Sequence, residues 1–447
     1  DEAGTALTTG DGNVAVGFEA LKTEDANGES VAVGFQALKT QNAGASGLNT
    51  AVGYLAGTGI TTGVKNTLIG AKAGDALTDA DNNVAVGFQA LSTDTKGDKS
   101  VAVGKSALLT QNHTTVTDTF NVAVGHEAGK AVTTGINNTI IGGLAGDALN
   151  TGHSNVVLGK AALSTEDTGR KNVAIGFEAL TTQNADVDNL NTAVGHQAGK
   201  AITTGIQNTL IGALSGDALN DADLNVAIGY ASLTTDTLGS RSTAVGYQAL
   251  ENQNFTTATN TYNVAVGYNA GVANTTGETN TFIGGTAGAA NTSGNNNSAM
   301  GYAALFTNIL SDRNVAVGNN ALYSHNQTTS VDSYNVAVGY NAGAGVTTGI
   351  SNTIIGSLAG DALTDADYNT SVGVEALSAD TLGSRSVAIG YSALKAQNFT
   401  TATDTYNTAV GFDAGTAMTT GVQNTLIGGL AGDALTTGDG NVAVGYE

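Results

Sequence analysis

The sequence predicts an all-β fold, a parallel β-solenoid (β-roll) of about 25 coils, on three observations. A five-residue motif, [Asn/Ser]-[Val/Thr/Ser]-x-[aliphatic]-Gly, occurs 25 times between Asn13 and Asn441. Most of its intervals are 17 residues, too short for a helical hairpin repeat. Its Val/Ile-rich segment, closed by Gly, reads as a short strand followed by a sharp turn. One such turn per repeat, stacked on its neighbours, makes a solenoid. With strands about 4.8 Å apart, a single continuous domain over 1–447 would be on the order of 115–120 Å long.

Each element of the coil follows from its column. The Asn/Ser at the motif start predicts a ladder of side-chain hydrogen bonds at a turn. The Gly, present in 25 coils of 25, predicts a backbone with φ > 0 or no room for a Cβ. Every fourth interval lengthens to 19 or 21 residues, which defines four-coil units of 70–72 residues with longer loops near 41–48, 111–120, 183–190, 253–262, 325–334 and 397–406. Eight residues after each motif start the chain reads Leu21, Leu38, Gly57, Gly74, then Leu91, Leu108, Gly129, Gly146. In the Gly coils an apolar residue stands three positions later (Ile60, Leu77, Val132, Leu149), so the core contact is expected to move along the coil.

Alternation sends motif positions two and four to one face of the strand and position three to the other. Position four is always aliphatic, which assigns that face to the interior. Position three should then be polar, yet it is Ala in 17 coils and otherwise almost always Leu, Ile, Val or Phe. A strand apolar on both sides is buried on both sides. The third position either fills a second compartment of the same coil or forms a seam between chains. The seam is preferred, because an apolar stripe of that length does not stay exposed on a soluble chain. The expected contact residues are Ala15, Ala32, Ala51, Leu68, Ala85, Ala102, Ala123 and Ile140.

The motifs Asn172-Val-Ala-Ile-Gly176 and Ser386-Val-Ala-Ile-Gly390 resemble the head repeats of YadA-like trimeric autotransporter adhesins, over nearly the whole chain. Similar Asn-Thr-Ala-Val-Gly repeats occur in bacteriophage tail fibres and other secreted fibres. The resemblance implies a left-handed roll, three chains side by side, and a place outside the cell or on its surface. The coils here are longer than that family's, and its neck, heptad stalk and membrane anchor are not recognisable.

Composition narrows the function. A net charge of −22 argues against nucleic-acid and anionic-membrane partners, and no stretch approaches the roughly 18 apolar residues of a membrane span. Without Cys there are no disulfides or thiolate metal sites. The chain opens without Met or a signal peptide, as a mature or truncated piece would. The five histidines (His113, His126, His153, His196, His325) have no catalytic or ligand spacing, and the glycines belong to a turn column, so no catalysis, cofactor or metal is expected. Acidic clusters such as Asp75, Asp79 and Asp81 read as solvated turns, because neighbouring units drop them.

Two surface features remain. The residue after the motif Gly is aromatic in 13 coils, suited to packing on a neighbouring subunit or stacking on sugar. The long loops carry Asn-x-Thr sequons at Asn112, Asn254, Asn326 and Asn398, candidate glycosylation sites. Finally, Ala6–Glu19 returns at Ala434–Glu447 with Tyr446 where the first copy has Phe18, so the chain is expected to be a window of a longer fibre or to stack end to end. The function expected is a non-catalytic extracellular structural or adhesive fibre subunit that associates with itself. The alternative is an adhesin head or tail-fibre segment recognising glycan or a cell surface.

Overall fold

The computed structural model describes residues 2–26 and 28–447. The chain falls into two compact units, Asp1–Leu224 and Asn225–Glu447. Each is a parallel β-solenoid, and no described residue is helical. The first unit carries twelve three-residue motif strands from Val14–Val16 to Thr209–Ile211, and the second thirteen from Val226–Ile228 to Val442–Val444. Within a unit, successive strands pair in parallel with identical residues in register, as in Val84 with Val101, Ala85 with Ala102 and Val86 with Val103.

Two columns fix this register. The Asn column is buried. Asn66 donates its backbone N–H to Asn49 Oδ1 of the coil below at 2.8 Å, and its own Nδ2 donates to the Ala80 carbonyl at 2.8 Å. The ladder therefore ties each coil to the next and each strand to its own returning loop. The motif glycines have φ near +140°, as at Gly104 (+137°), where a methyl group would stand 2.2 Å from the Gly125 carbonyl oxygen. Both sequence expectations for these columns hold.

The interior, however, lies on the other side of the strand. Ala32, Ala51, Leu68, Ala85, Ala102, Ala123 and Ile140 are wholly buried inside their own coils, and Ala15 in the first coil is half-buried. They line the interior of one chain and are not a seam between chains. The reason is space. The opposite wall of the coil brings Ala20 and Leu21, or their equivalents, into the same slim interior, so most coils admit only Ala at position three. Positions two and four, with their larger Val, Ile and Thr side chains, point outward.

Volume is balanced over four coils. Where the second wall supplies Gly57 and Gly74 in place of Leu, position three becomes Leu68, whose methyl groups occupy the space a side chain on either glycine would need. Ile60 and Leu77 add to the core from three positions later, as expected, and are fully buried. In the second unit Ile354 and Leu426 do the same, and at Gly271 and Gly288 the role falls to Phe282, with Asn274 and Asn291 three positions on.

Candidate functional site

The outward strand face is the largest uninterrupted chemical feature of each unit. In all 25 coils its two columns hold only Val, Thr, Ser, Ile, Leu or Met. Its position-four residues are substantially exposed; Ile69, Ile211 and Ile355 each keep about two-fifths of their surface in water. Beside it runs the column that follows the motif Gly, with Phe18, Phe35 and Tyr54 stacked at 5.3 Å between ring centres, and Tyr230, Tyr247 and Tyr268 at 5.4 Å. These rings stay exposed along one edge. Next to them, ion pairs recur: Glu19 accepts from Lys22 and Lys39, which hold its carboxyl down at about 2, and Glu178 and Glu375 pair with Lys200 and Lys395.

The opposite edge of the face carries the long loops. The loop of residues 111–120 is fastened by a cluster that the sequence reading missed. Asp94, fully buried, accepts at Oδ2 from Gln111 Nε2 (2.6 Å) and at Oδ1 from the backbone N–H groups of Gly97 (3.1 Å) and His113 (3.0 Å). Gln111 also donates to Ser100 Oγ and accepts from Asn121 Nδ2. Charge-assisted bonds of this kind are stronger than neutral ones and hold the loop root rigidly. The arrangement repeats with Asp236 and Gln253, and with Asp380 and Gln397. In the two shorter loops a longer acid serves: Glu24 with Gln41 and Glu166 with Gln183. The acid–Gln pair eleven residues after the motif start, at four-coil period, was the signal available.

Each loop ends on an exposed residue just before the next motif Asn. Phe120, Tyr262, Tyr334 and Tyr406 lie beside Lys99, Arg241, Arg313 and Arg385, within 5.1–5.9 Å of the cation. Three of these cations are ion-paired, Lys99 to Asp118, Arg313 to Asp332 and Arg385 to Asp404.

One unit departs from this pattern. His325 stands where the others have Gln, and Asn308 where they have the acid. His325 is fully buried with no hydrogen bond at either ring nitrogen, and burial pushes its pKa down to about 4, with the Thr347 carbonyl opposing weakly. The unfolded imidazole takes up its proton below about 6.5, so this residue favours folding above that pH and penalises it as pH falls towards 4. The expected loss is about 3 kcal/mol at most, local to the coils around it. Urea denaturation at pH 8 and pH 4.5 checks it: His325→Gln should remove most of the pH dependence that this region contributes.

The other candidates are placed as follows. Among the sequons Asn398 is exposed, while Asn112, Asn254 and Asn326 are half-buried; Asn112, Asn254 and Asn398 each accept at Oδ1 from a threonine hydroxyl. Asp79 and Asp81 accept from Thr62 Oγ1 and the Val64 N–H, and Asp75 is raised by burial, so these carboxylates serve separate coil contacts. Among the described residues no three His, Cys, Asp or Glu side chains converge as metal ligands, no pocket opens, and no helix is long and apolar enough to cross a membrane. No model of a known protein family matches the chain, and no curated protein is similar to it.

Proposed function

We propose that the chain is a non-catalytic structural subunit of an extracellular fibre that associates laterally with copies of itself. The observation that carries this reading is the outward strand face. Its Val, Ile and Thr columns hold no charged residue in any coil, in a chain of net charge −22. Contiguous exposed apolar surface on this scale marks an interaction site. A parallel copy presents a matching face at the same coil spacing, which makes self-association the economical assignment. The contact therefore falls to positions two and four, with Ala15, Ala32 and their column as the packing behind it. Three chains and an extracellular or cell-surface location rest on the resemblance to adhesin head repeats, and end-to-end addition would extend the fibre. A second reading, an adhesin head or tail-fibre segment that binds glycan, is favoured by the exposed rings of Phe18, Phe35 and Tyr54, which offer a stacking surface.

Light scattering with electron microscopy of the same sample in native buffer tests the proposal. Discrete particles of several chains or filaments are expected, and a stable single chain would sink it. Introducing Ile69→Lys, Ile211→Lys and Ile355→Lys together should reduce the particle to one chain. Because these side chains point outward, each substitution should change folding stability by only about 0.5 kcal/mol. Retention on immobilised glycans after that dissociation would instead favour the second reading.

A further inference from the structure

Once in every four-coil unit the column that carries the rings drops to a very small side chain. At Ala71, Gly143, Ala213, Gly285, Ser357 and Gly429 the residue after the motif Gly is small, six times out of six. At the three glycines neither backbone conformation nor space within the chain requires this. Gly143, Gly285 and Gly429 lack the positive φ that favours glycine. A methyl group on Gly143 would meet nothing within 4 Å, and on Gly285 or Gly429 it would meet only the next ring, Tyr302 or Tyr446, at an ordinary 3.5 Å. The result in the second unit is a notch with Gly285 as its floor and the rings of Tyr268 and Tyr302 on either side. Those two rings are more exposed, at 59% and 61%, than the stacked Tyr247 at 44%.

The residue that ends each long loop stands 23 residues before each small residue, on the opposite edge of the strand face. Knob and floor vary together. Leu48 goes with Ala71 and Leu190 with Ala213, whereas Phe120 goes with Gly143, Tyr262 with Gly285, Tyr334 with Ser357 and Tyr406 with Gly429. The smaller Leu knobs thus accompany Ala floors and come with the shorter loops, while three of the four aromatic knobs accompany Gly and the fourth, Tyr334, accompanies Ser357. Yet no knob side chain lies within 4 Å of a methyl group built on Gly143, Gly285 or Gly429 of the same chain. The strand and its Val/Thr columns separate them.

We infer that the loop-end side chain of one copy seats in the small-residue notch of a neighbouring parallel copy, Tyr262 over Gly285 and likewise in each unit. This rests on the lateral self-association proposed above, and it names the contact that sets the register between copies. Copies related by rotation about a common axis meet edge to different edge, which brings the loop edge of one against the ring edge of the next. Knob and notch share the four-coil period, so one alignment satisfies every pair in a unit. The knobs are also ordered in advance: Tyr262 lies under Arg241, and the Tyr334 hydroxyl bonds Asp332 at 3.1 Å, which lowers the entropy lost on docking.

The chain has no Cys, so thiol cross-linking tests this cleanly. A tyrosine reaching into a notch leaves the two backbones farther apart than a disulfide spans, and a short bismaleimide suits the gap. The full chain would carry Tyr262→Cys with Gly285→Cys, or either alone, with light scattering of the unaltered chain alongside. The double variant should lose most of its single-chain band on a denaturing gel, with peptide mapping placing the 262–285 link between chains. An equal mixture of the two single variants should give linked pairs, and each alone should stay unlinked. Multimeric particles without the 262–285 link, or efficient linking by Tyr262→Cys alone, would overturn the knob-and-notch contact while leaving lateral association standing. An unaltered chain that is single in solution would overturn both.

Discussion

Alanine at Gly284 is expected to unfold the coils around it, while alanine at the next residue, Gly285, is expected to be nearly silent. Gly284 has φ of +134°, and its new methyl group would lie 2.4 Å from the Gly301 carbonyl oxygen. That neighbour is backbone held in the coil-to-coil ladder and cannot turn aside. Strained φ alone costs about 1–3 kcal/mol, and the clash adds to it, so a loss of at least about 3 kcal/mol is expected. Gly285 has neither constraint; its methyl group would make ordinary contact with the Tyr302 ring. Urea titrations of the two variants, followed by far-ultraviolet circular dichroism, should show a separate early transition for Gly284→Ala and none for Gly285→Ala. Equal midpoints would mean that the glycine column does not set the coil spacing.

The second large effect is at Phe282. Its ring fills the interior at a level where two successive coils present Gly271 and Gly288, and no other side chain can take that volume. Phe282→Ala should therefore cost about 3–5 kcal/mol through lost burial and the cavity left behind. The chain also indicates the repair. Ten of the 17 coils with Ala at position three have Leu where this one has Gly288, and those leucines already adopt the same backbone, as Leu305 does at φ +52°. Adding Gly271→Leu and Gly288→Leu to Phe282→Ala should thus recover a large part of the loss. If the triple variant is no more stable than the single one, the proposed volume exchange between position three and the second wall is wrong.

That exchange also explains what the sequence could and could not reveal. The period, the strand, the Asn ladder and the glycine turn were legible because each is a column whose chemistry permits one geometry. Which strand face is interior was not legible from alternation, since both faces are apolar and the larger side chains were assigned inward. The deciding signal was present. Leu68, Ile140 and Phe282 enlarge position three in the second of each two successive coils where Leu21 and its equivalents give way to Gly, which is understandable only if both share one space. The outward face and its rings were visible as columns, but their role as the exposed surface followed only once the interior was known. The buried acid–Gln pairs went unread because Asp94 and Gln111, taken singly, look like ordinary loop residues.

The balancing of volume and charge over four coils has a consequence for how such a chain can change length. Removing one coil would leave an acid without its glutamine, or two glycines without the side chain that fills between them, and would shift every later knob against its notch. Removing or inserting four coils preserves all of these at once. The architecture therefore tolerates insertions and deletions as whole blocks of 70 or 72 residues and resists those of 17, so its length is free to vary only in coarse steps.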